Sequence, residues 1–141
     1  MRRRTLLWLP LMIPAAALAA RAANDGPDTV RGKLVRRPGK PPALDTSAGL
    51  VALEGDSETV AVLGDDRLAG ADMEFRGQRL APDRFRIGPF FESKSMFVHR
   101  GGKQYTISYW CDICSIRTYT PGKCMCCQEE THITFQEYPP Q

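Results

Sequence analysis

The sequence predicts an all-β domain whose strands are mainly antiparallel. Short segments rich in Val, Leu, Ile, Phe and Tyr follow one another from residue 29 onward. Gly, Pro and Asp clusters separate them at intervals of about ten residues, as in small barrels and sandwiches. Within residues 73–76 and 105–109, apolar and polar side chains alternate with a period of two, the pattern of a half-buried strand. A third observation, five cysteines within residues 111–127, predicts a cysteine-rich hairpin near the C-terminus.

The individual elements follow from the same patterns, taken along the chain. Residues 36–42 contain three prolines and predict a loop, because proline cannot donate to a strand ladder. Residues 64–70 predict a single helical turn capped by aspartate. The two glycines in residues 100–103 predict a tight hairpin. We expect strands over residues 29–36, 50–54, 59–63, 72–80, 84–87, 96–100 and 104–110.

The first 23 residues have the composition of an export signal. Three arginines precede an apolar stretch over residues 6–20, and alanines at its end offer small-residue cleavage sites. Pro10 and Pro14 interrupt the stretch, so we expect no stable membrane span in the mature protein. The pair Arg3-Arg4 is compatible with either the general or the twin-arginine export route. The predicted location is therefore periplasmic or secreted.

The remaining residues, 24–141, have the length of one domain. Four of the 19 Lys and Arg residues lie in residues 1–23, which leaves 15 against 16 Asp and Glu and a net charge near −1. Nucleic-acid binding requires a concentrated positive excess, so nucleic acid is not an expected partner. The acidic pairs at residues 65–66 and 129–130 are expected on the solvated surface. The expected partner, an unidentified protein or small ligand, would use the face of the β domain.

The cysteines carry the most specific chemical signal in the chain. Two CxxC pairs separated by nine residues let two sulfurs from each turn converge on one tetrahedral metal, and a closed shell of four thiolates is typical of structural zinc. The predicted ligands are Cys111, Cys114, Cys124 and Cys127.

Two further residues are secondary candidates at this site. Cys126 is adjacent to Cys127 and is an alternative fourth ligand. His132 follows five residues later and is a further candidate ligand or a neighbour of the ligands.

Other chemistries remain open for the same cluster. Disulfides are expected in an exported protein, although five cysteines leave one unpaired. Copper(I) accepts two or three thiolates and tolerates a thioether such as Met125, iron also uses paired CxxC turns, and Cys111 with Cys114 could form a thiol-redox pair. Histidine follows neither CxxC pair, which excludes covalent haem. The sequence contains no serine nucleophile elbow, phosphate loop or HExxH motif, so we expect no enzymatic activity.

Several segments resemble a group of small, uncharacterised exported bacterial proteins that join an OB-like barrel to a C-terminal cysteine cluster. They are residues 30–35 (VRGKLV), 66–70 (DRLAG), 81–85 (APDRF), and the stretch from 109–111 (YWC) through 121–128 (PGKCMCCQ). The resemblance implies a single OB-like β domain over residues 24–141, with the metal hairpin at about residues 109–132. It supplies no catalytic residues. An OB-like domain that binds a ligand or a protein is a further alternative function.

Overall fold

The computed structural model describes residues 26–91 and 94–139, so the predicted export signal lies outside the described residues. The described residues form nine strands, one α-helix and one 3₁₀ turn. The strands are β1 (Asp28–Val35), β2 (Ala43–Thr46), β3 (Gly49–Glu54), β4 (Asp72–Ala81), β5 (Arg84–Ile87), β6 (Met96–Arg100), β7 (Lys103–Cys111), β8 (Ile116–Thr118) and β9 (His132–Tyr138). Helix α1 (Ser57–Leu63) and the 3₁₀ turn (Asp66–Leu68) lie between β3 and β4.

The first five strands close into a barrel. They pair in the order β1-β2-β3-β5-β4, and β4 returns to pair with β1. Every pairing in this ring is antiparallel except that between β3 and β5, which is parallel. Because β3 and β5 run in the same direction, the chain must cross over between them, and α1, the 3₁₀ turn and β4 make that connection. The predicted all-β, OB-like barrel is confirmed.

The interior of the barrel is filled by alternate side chains of its strands. Leu34, Leu44, Leu53, Phe75 and Phe85 are each at most 2% exposed. Burying side chains of this size contributes about 1.5–3 kcal/mol each, which makes this cluster the main source of stability.

Two glycines allow the barrel strands to approach closely. A Cβ atom at Gly32 would collide with the Asp45 carbonyl, and one at Gly77 would collide with the Arg86 carbonyl. Neither position has room for a larger residue.

The remaining strands extend the barrel sheet and carry the cysteine hairpin. Strand β6 pairs with β4 and with the first residues of β7. Strand β9 pairs with β7 from Gln104 to Trp110 along one edge, so β6 and β8 share the opposite edge. The end of β7 is thereby held between β8 and β9. Among the described residues, no helix has the length and apolarity needed to span a lipid bilayer.

One predicted strand is wrong. Residues 59–63 belong to α1, whose first turn is capped by the Asp56 carboxylate, which accepts a hydrogen bond from the Thr59 N–H at 3.0 Å. Thr59, Val62 and Leu63 are buried whereas Val60 is 46% exposed, which is the spacing of a helix face. A short apolar run fits either a strand or a buried helix, and here the cap decides.

The other predicted strands coincide with observed strands, and the chain adds β2 and β9. Strand β8 lies within residues 115–120, whose alternating side chains predict a strand. The predicted helical turn is the 3₁₀ turn at Asp66–Leu68, and the hairpin at Gly101 and Gly102 joins β6 to β7, with both glycines at positive φ. The proline-rich segment is a loop between β1 and β2.

Candidate metal centre

The cysteines lie at the end of β7, in two loops: the first cysteine loop is residues 111–115 and the second is residues 119–131. Cys111 is the last residue of β7, and the first loop turns back into β8, so that Tyr109 pairs with Thr118. On the other side of β7, Tyr109 pairs with Ile133 of β9. The second loop immediately precedes β9, and the register of β7 with β8 and β9 therefore places both loops at the same end of the sheet.

The two CxxC loops share one backbone conformation. The Ser115 N–H donates to the Cys111 carbonyl at 2.9 Å, and the Gln128 N–H donates to the Cys124 carbonyl at 3.0 Å. Ser115 and Gln128, each directly after the second cysteine of its pair, have φ values of 52° and 64°. This left-handed conformation is uncommon for residues other than glycine, and its use at both positions reflects the tight turn that each pair of sulfurs requires.

Backbone donors point toward the sulfurs within each loop. The Cys114 N–H lies 3.4 Å from the Cys111 Sγ, and the Cys126 N–H lies 3.4 Å from the Cys124 Sγ. Such donors stabilise a thiolate, which is the form that binds a metal ion.

The four sulfurs of Cys111, Cys114, Cys124 and Cys127 all lie within 4.8 Å of one another. The Cys111 and Cys127 Sγ atoms are 3.5 Å apart, well beyond the bond length of about 2.05 Å in a disulfide. In a tetrahedral zinc site with zinc–sulfur bonds of about 2.3 Å, sulfurs are separated by about 3.8 Å, which matches this spacing. The cysteines of the described chain form no disulfide. The group has the geometry needed to bind one metal ion.

The two secondary candidates lie outside this four-sulfur group. Cys126 is exposed, and its thiol lies beside that of Cys114. The His132 Nε2 atom lies 2.7 Å from the Asp112 Oδ2 atom, in an exposed pair between β9 and the first cysteine loop. His132 is therefore paired with a carboxylate instead of being directed at the sulfurs.

The thiols of the cluster perturb one another's acidity. Backbone N–H groups of Cys127 and Cys126 lower the pKa of Cys124 to about 7. The neighbouring Cys126 thiol and desolvation raise the pKa of Cys114. Four thiolates this close together repel one another. A divalent cation would allow all four to ionise.

A polar network fixes the second cysteine loop to the barrel. Asp65 caps the 3₁₀ turn, is buried, and accepts hydrogen bonds from the Arg67 Nε at 2.9 Å and Nη2 at 2.8 Å. The Arg67 Nη1 donates to the Thr131 carbonyl at 3.0 Å, and the Thr131 hydroxyl donates to the Gly122 carbonyl at 2.8 Å. Arg67 also lies 5.4 Å from the centre of the buried Tyr109 ring. The network joins residues 65–67 to both ends of the second loop.

The buried position of Asp65 corrects the expectation that it lies on the solvated surface, whereas Asp66, Glu129 and Glu130 are exposed as expected. Burial would raise the pKa of Asp65, but hydrogen bonds from Arg67 outweigh this effect and the pKa is lowered. The sequence predicts that an aspartate caps this turn. It does not predict that Arg67 donates to the carbonyl of Thr131, which lies 64 residues further along the chain.

The arrangement as a whole supports binding of one ion by four sulfurs, and no histidine or carboxylate of the described residues joins the group. Zinc or iron in such a shell has no open position for water, so the site is suited to holding structure together. Comparison of the chain with protein families, with curated proteins and with solved structures found no match.

Proposed function

We propose that this chain is an exported, non-enzymatic protein in which one structural zinc ion is held by Cys111, Cys114, Cys124 and Cys127. The observation that carries the proposal is the convergence of these four sulfurs to within 4.8 Å from two loops of like conformation. Two loops that repeat the same turn, each with a donor aimed at a sulfur, form a coordination shell without further rearrangement.

The surroundings of the site favour zinc over copper(I). A copper(I) site of two or three thiolates with a thioether would require Met125 to turn toward the sulfurs, but its side chain is 84% exposed. Cys126, the extra thiol that would distinguish a copper or redox site, lies outside the four-sulfur group. Iron fits the same four sulfurs, and metal analysis separates it from zinc.

A structural role follows from where the metal would act. The second loop has no regular secondary structure except a single bridge between Lys123 and Glu130. Cys124 and Cys111 are 1% and 2% exposed, so the metal would crosslink buried positions of the two cysteine loops. With all four positions taken by sulfur, no coordination site is left to activate water, which supports a non-enzymatic role.

Metal analysis of two matched variants tests the proposal. Protein purified without added metal should carry about one equivalent of zinc per chain, with four thiols protected from a thiol reagent and Cys126 reactive. Cys124→Ser should lose the metal, whereas Cys126→Ser, which changes a neighbouring cysteine in the same loop, should retain it. Disulfides in place of metal, or equal metal loss in both variants, would contradict the proposal.

Export is tested separately from metal binding. The charged and apolar segments of residues 1–23 support secretion, and N-terminal sequencing of the mature protein from an extracytoplasmic fraction should find a start within or directly after the alanines at residues 19–23. Full-length protein retained in the cytoplasmic fraction would argue against export while leaving the metal site intact.

A further inference from the structure

A cleft with positively charged walls lies on the outside of the barrel, between strands β4 and β5 and the described residues 88–91, 94 and 95. Its volume is about 700 Å³, within the range of ligand-binding sites. Side chains of Arg76, Arg86, Lys94 and Phe91 line it, together with Pro27 and Gln78. Acidic residues are missing from the described lining residues.

The strand register brings the two arginines of the cleft to one face. Gln78 pairs with Arg86 across β4 and β5, and Arg76 lies two residues before Gln78, so all three project from the outer surface. Arg76 and Arg86 are thus diagonal neighbours, a placement that separates side-chain origins by about 7–8 Å. Two guanidinium groups at this separation can hold the oxygens of one carboxylate or phosphate between them.

Neither arginine is fully engaged by a carboxylate. Arg76 lies 3.6 Å from Glu74, and Arg86 lies 3.6 Å from Glu54. Glu54 is instead bonded by Arg84 at 2.6 Å. Both contacts are longer than a hydrogen bond. The Arg76 guanidinium also lies 4.6 Å from the centre of the Phe97 ring, a contact that leaves its N–H edge available for an anion.

An apolar cavity adjoins the charged cleft. It has a volume of about 320 Å³ and shares Phe91 and Ser95 with the cleft. Phe90, Met96 and Tyr119 form most of the remaining wall. Phe91 is 84% exposed and Tyr119 is 59% exposed, so both rings present apolar surface to solvent at this cavity.

We propose that the two cavities together bind a small amphiphilic anion, with its carboxylate or phosphate group in the cleft at Arg76, Arg86 and Lys94 and its apolar part against Phe91 and Tyr119. Charge complementarity selects the head group, and the adjoining apolar walls select a ligand that carries one alkyl or aromatic portion. The apolar cavity is too small for the paired chains of a bilayer lipid, so the ligand is a free, single-chain molecule.

Titration with three probes tests this site. Decanoate should bind to the full-length mature protein with a Kd below about 1 mM and shift amide resonances of Gly77 and Gly88. Acetate, which has the head group alone, and decanol, which has the chain alone, should each bind at least about tenfold more weakly. Equal binding of decanoate and decanol would overturn the proposal, as would no binding of decanoate. Protein that sediments with anionic phospholipid vesicles but does not bind decanoate would show that the basic residues contact a membrane surface. This result would also overturn the proposal.

Variants at exposed residues locate the site without disturbing the core. Arg86→Gln and Lys94→Gln should each weaken decanoate binding several-fold, and Phe91→Ala should weaken decanoate but not acetate. Lys33→Gln removes one positive charge from an exposed position of β1 outside both cavities and is the matched control. Affinities that change equally in Lys33→Gln and Arg86→Gln would show that only the overall charge matters and would refute the assigned site.

Discussion

Replacing Arg67 by methionine should destabilise the whole protein, because Arg67 is the counter-ion of a buried carboxylate. The Asp65 side chain is 5% exposed and the Arg67 side chain is 42% exposed. Methionine retains much of the aliphatic stem but removes the donors to Asp65 and to the Thr131 carbonyl. The variant therefore leaves a desolvated negative charge without its partner and detaches the second cysteine loop from the barrel.

The expected loss in the free energy of unfolding follows from the exposed fractions of the Asp65 and Arg67 side chains. Breaking a fully buried ion pair by removing one partner costs about 3–5 kcal/mol. Arg67 is more than one third exposed, so water screens the pair and the expected loss is reduced to about 2–3 kcal/mol. Urea unfolding of the metal-loaded protein measures this as a lower midpoint at an unchanged slope.

Two further variants separate this explanation from a general effect of lost charge. Arg31→Met removes the partner of Asp72 in an exposed pair, with side chains 51% and 40% exposed, and should cost less than about 1 kcal/mol. The double variant Asp65→Asn/Arg67→Met should be more stable than Arg67→Met alone, because no unpaired charge remains buried. Equal losses for Arg67→Met and Arg31→Met would refute the reasoning.

Three other predictions concern the barrel, the cysteine loops and acid stability. Gly77→Ala should cost at least about 2 kcal/mol in urea unfolding, because its Cβ would collide with a β5 carbonyl, whereas Gly26→Ala, with open space around it, should be neutral. Ser115→Val should weaken zinc binding in a chelator competition by about 1 kcal/mol, since a β-branched residue strains the positive-φ position; Ser115→Gly should not weaken it. The folded-state pKa values of Asp56 and Asp65 are lowered, so their contribution to the free energy of unfolding is complete above their ordinary pKa of 3.8 and falls as the pH drops below it. Asp65→Asn should reduce this loss of stability at acid pH, measured by urea unfolding at a series of pH values. An unchanged dependence of the unfolding free energy on pH would show that Asp65 does not contribute to it.

The closest agreement between sequence and structure occurs where the determining signal is local. The CxxC spacing confines two sulfurs to one turn, and the alternation in residues 73–76 correctly places Met73 and Phe75 in the core. Both signals operate over a few residues. They do not depend on knowing which distant segment packs against them.

The errors arise where a short pattern fits two structures. Residues 59–63 are apolar and β-branched, which favours a strand, but the Asp56 cap three residues earlier starts a helix that the closed barrel needs as a connection. Strand β9 carries a period-two signal at Ile133 and Phe135, but the signal is short and the segment directly follows an irregular cysteine-rich loop.

The attachment of the second cysteine loop to the barrel cannot be predicted from the sequence. Arg67 and Thr131 are 64 residues apart, and only the folded chain shows that the Arg67 guanidinium bridges a buried carboxylate and that loop. The charged cleft cannot be predicted from the sequence either, because Arg76 and Arg86 become neighbours only through the pairing of β4 with β5.

X-ray absorption of the purified protein at the edge of its bound metal tests the central claim most directly. The account predicts about one zinc ion per chain with four sulfur ligands at about 2.3 Å and no oxygen or nitrogen in the first coordination sphere. The same spectrum should be obtained from Cys126→Ser and from His132→Ala. A mixed sulfur and nitrogen shell that loses its nitrogen in His132→Ala, or a metal-free protein whose cysteines are paired as disulfides, would contradict the account.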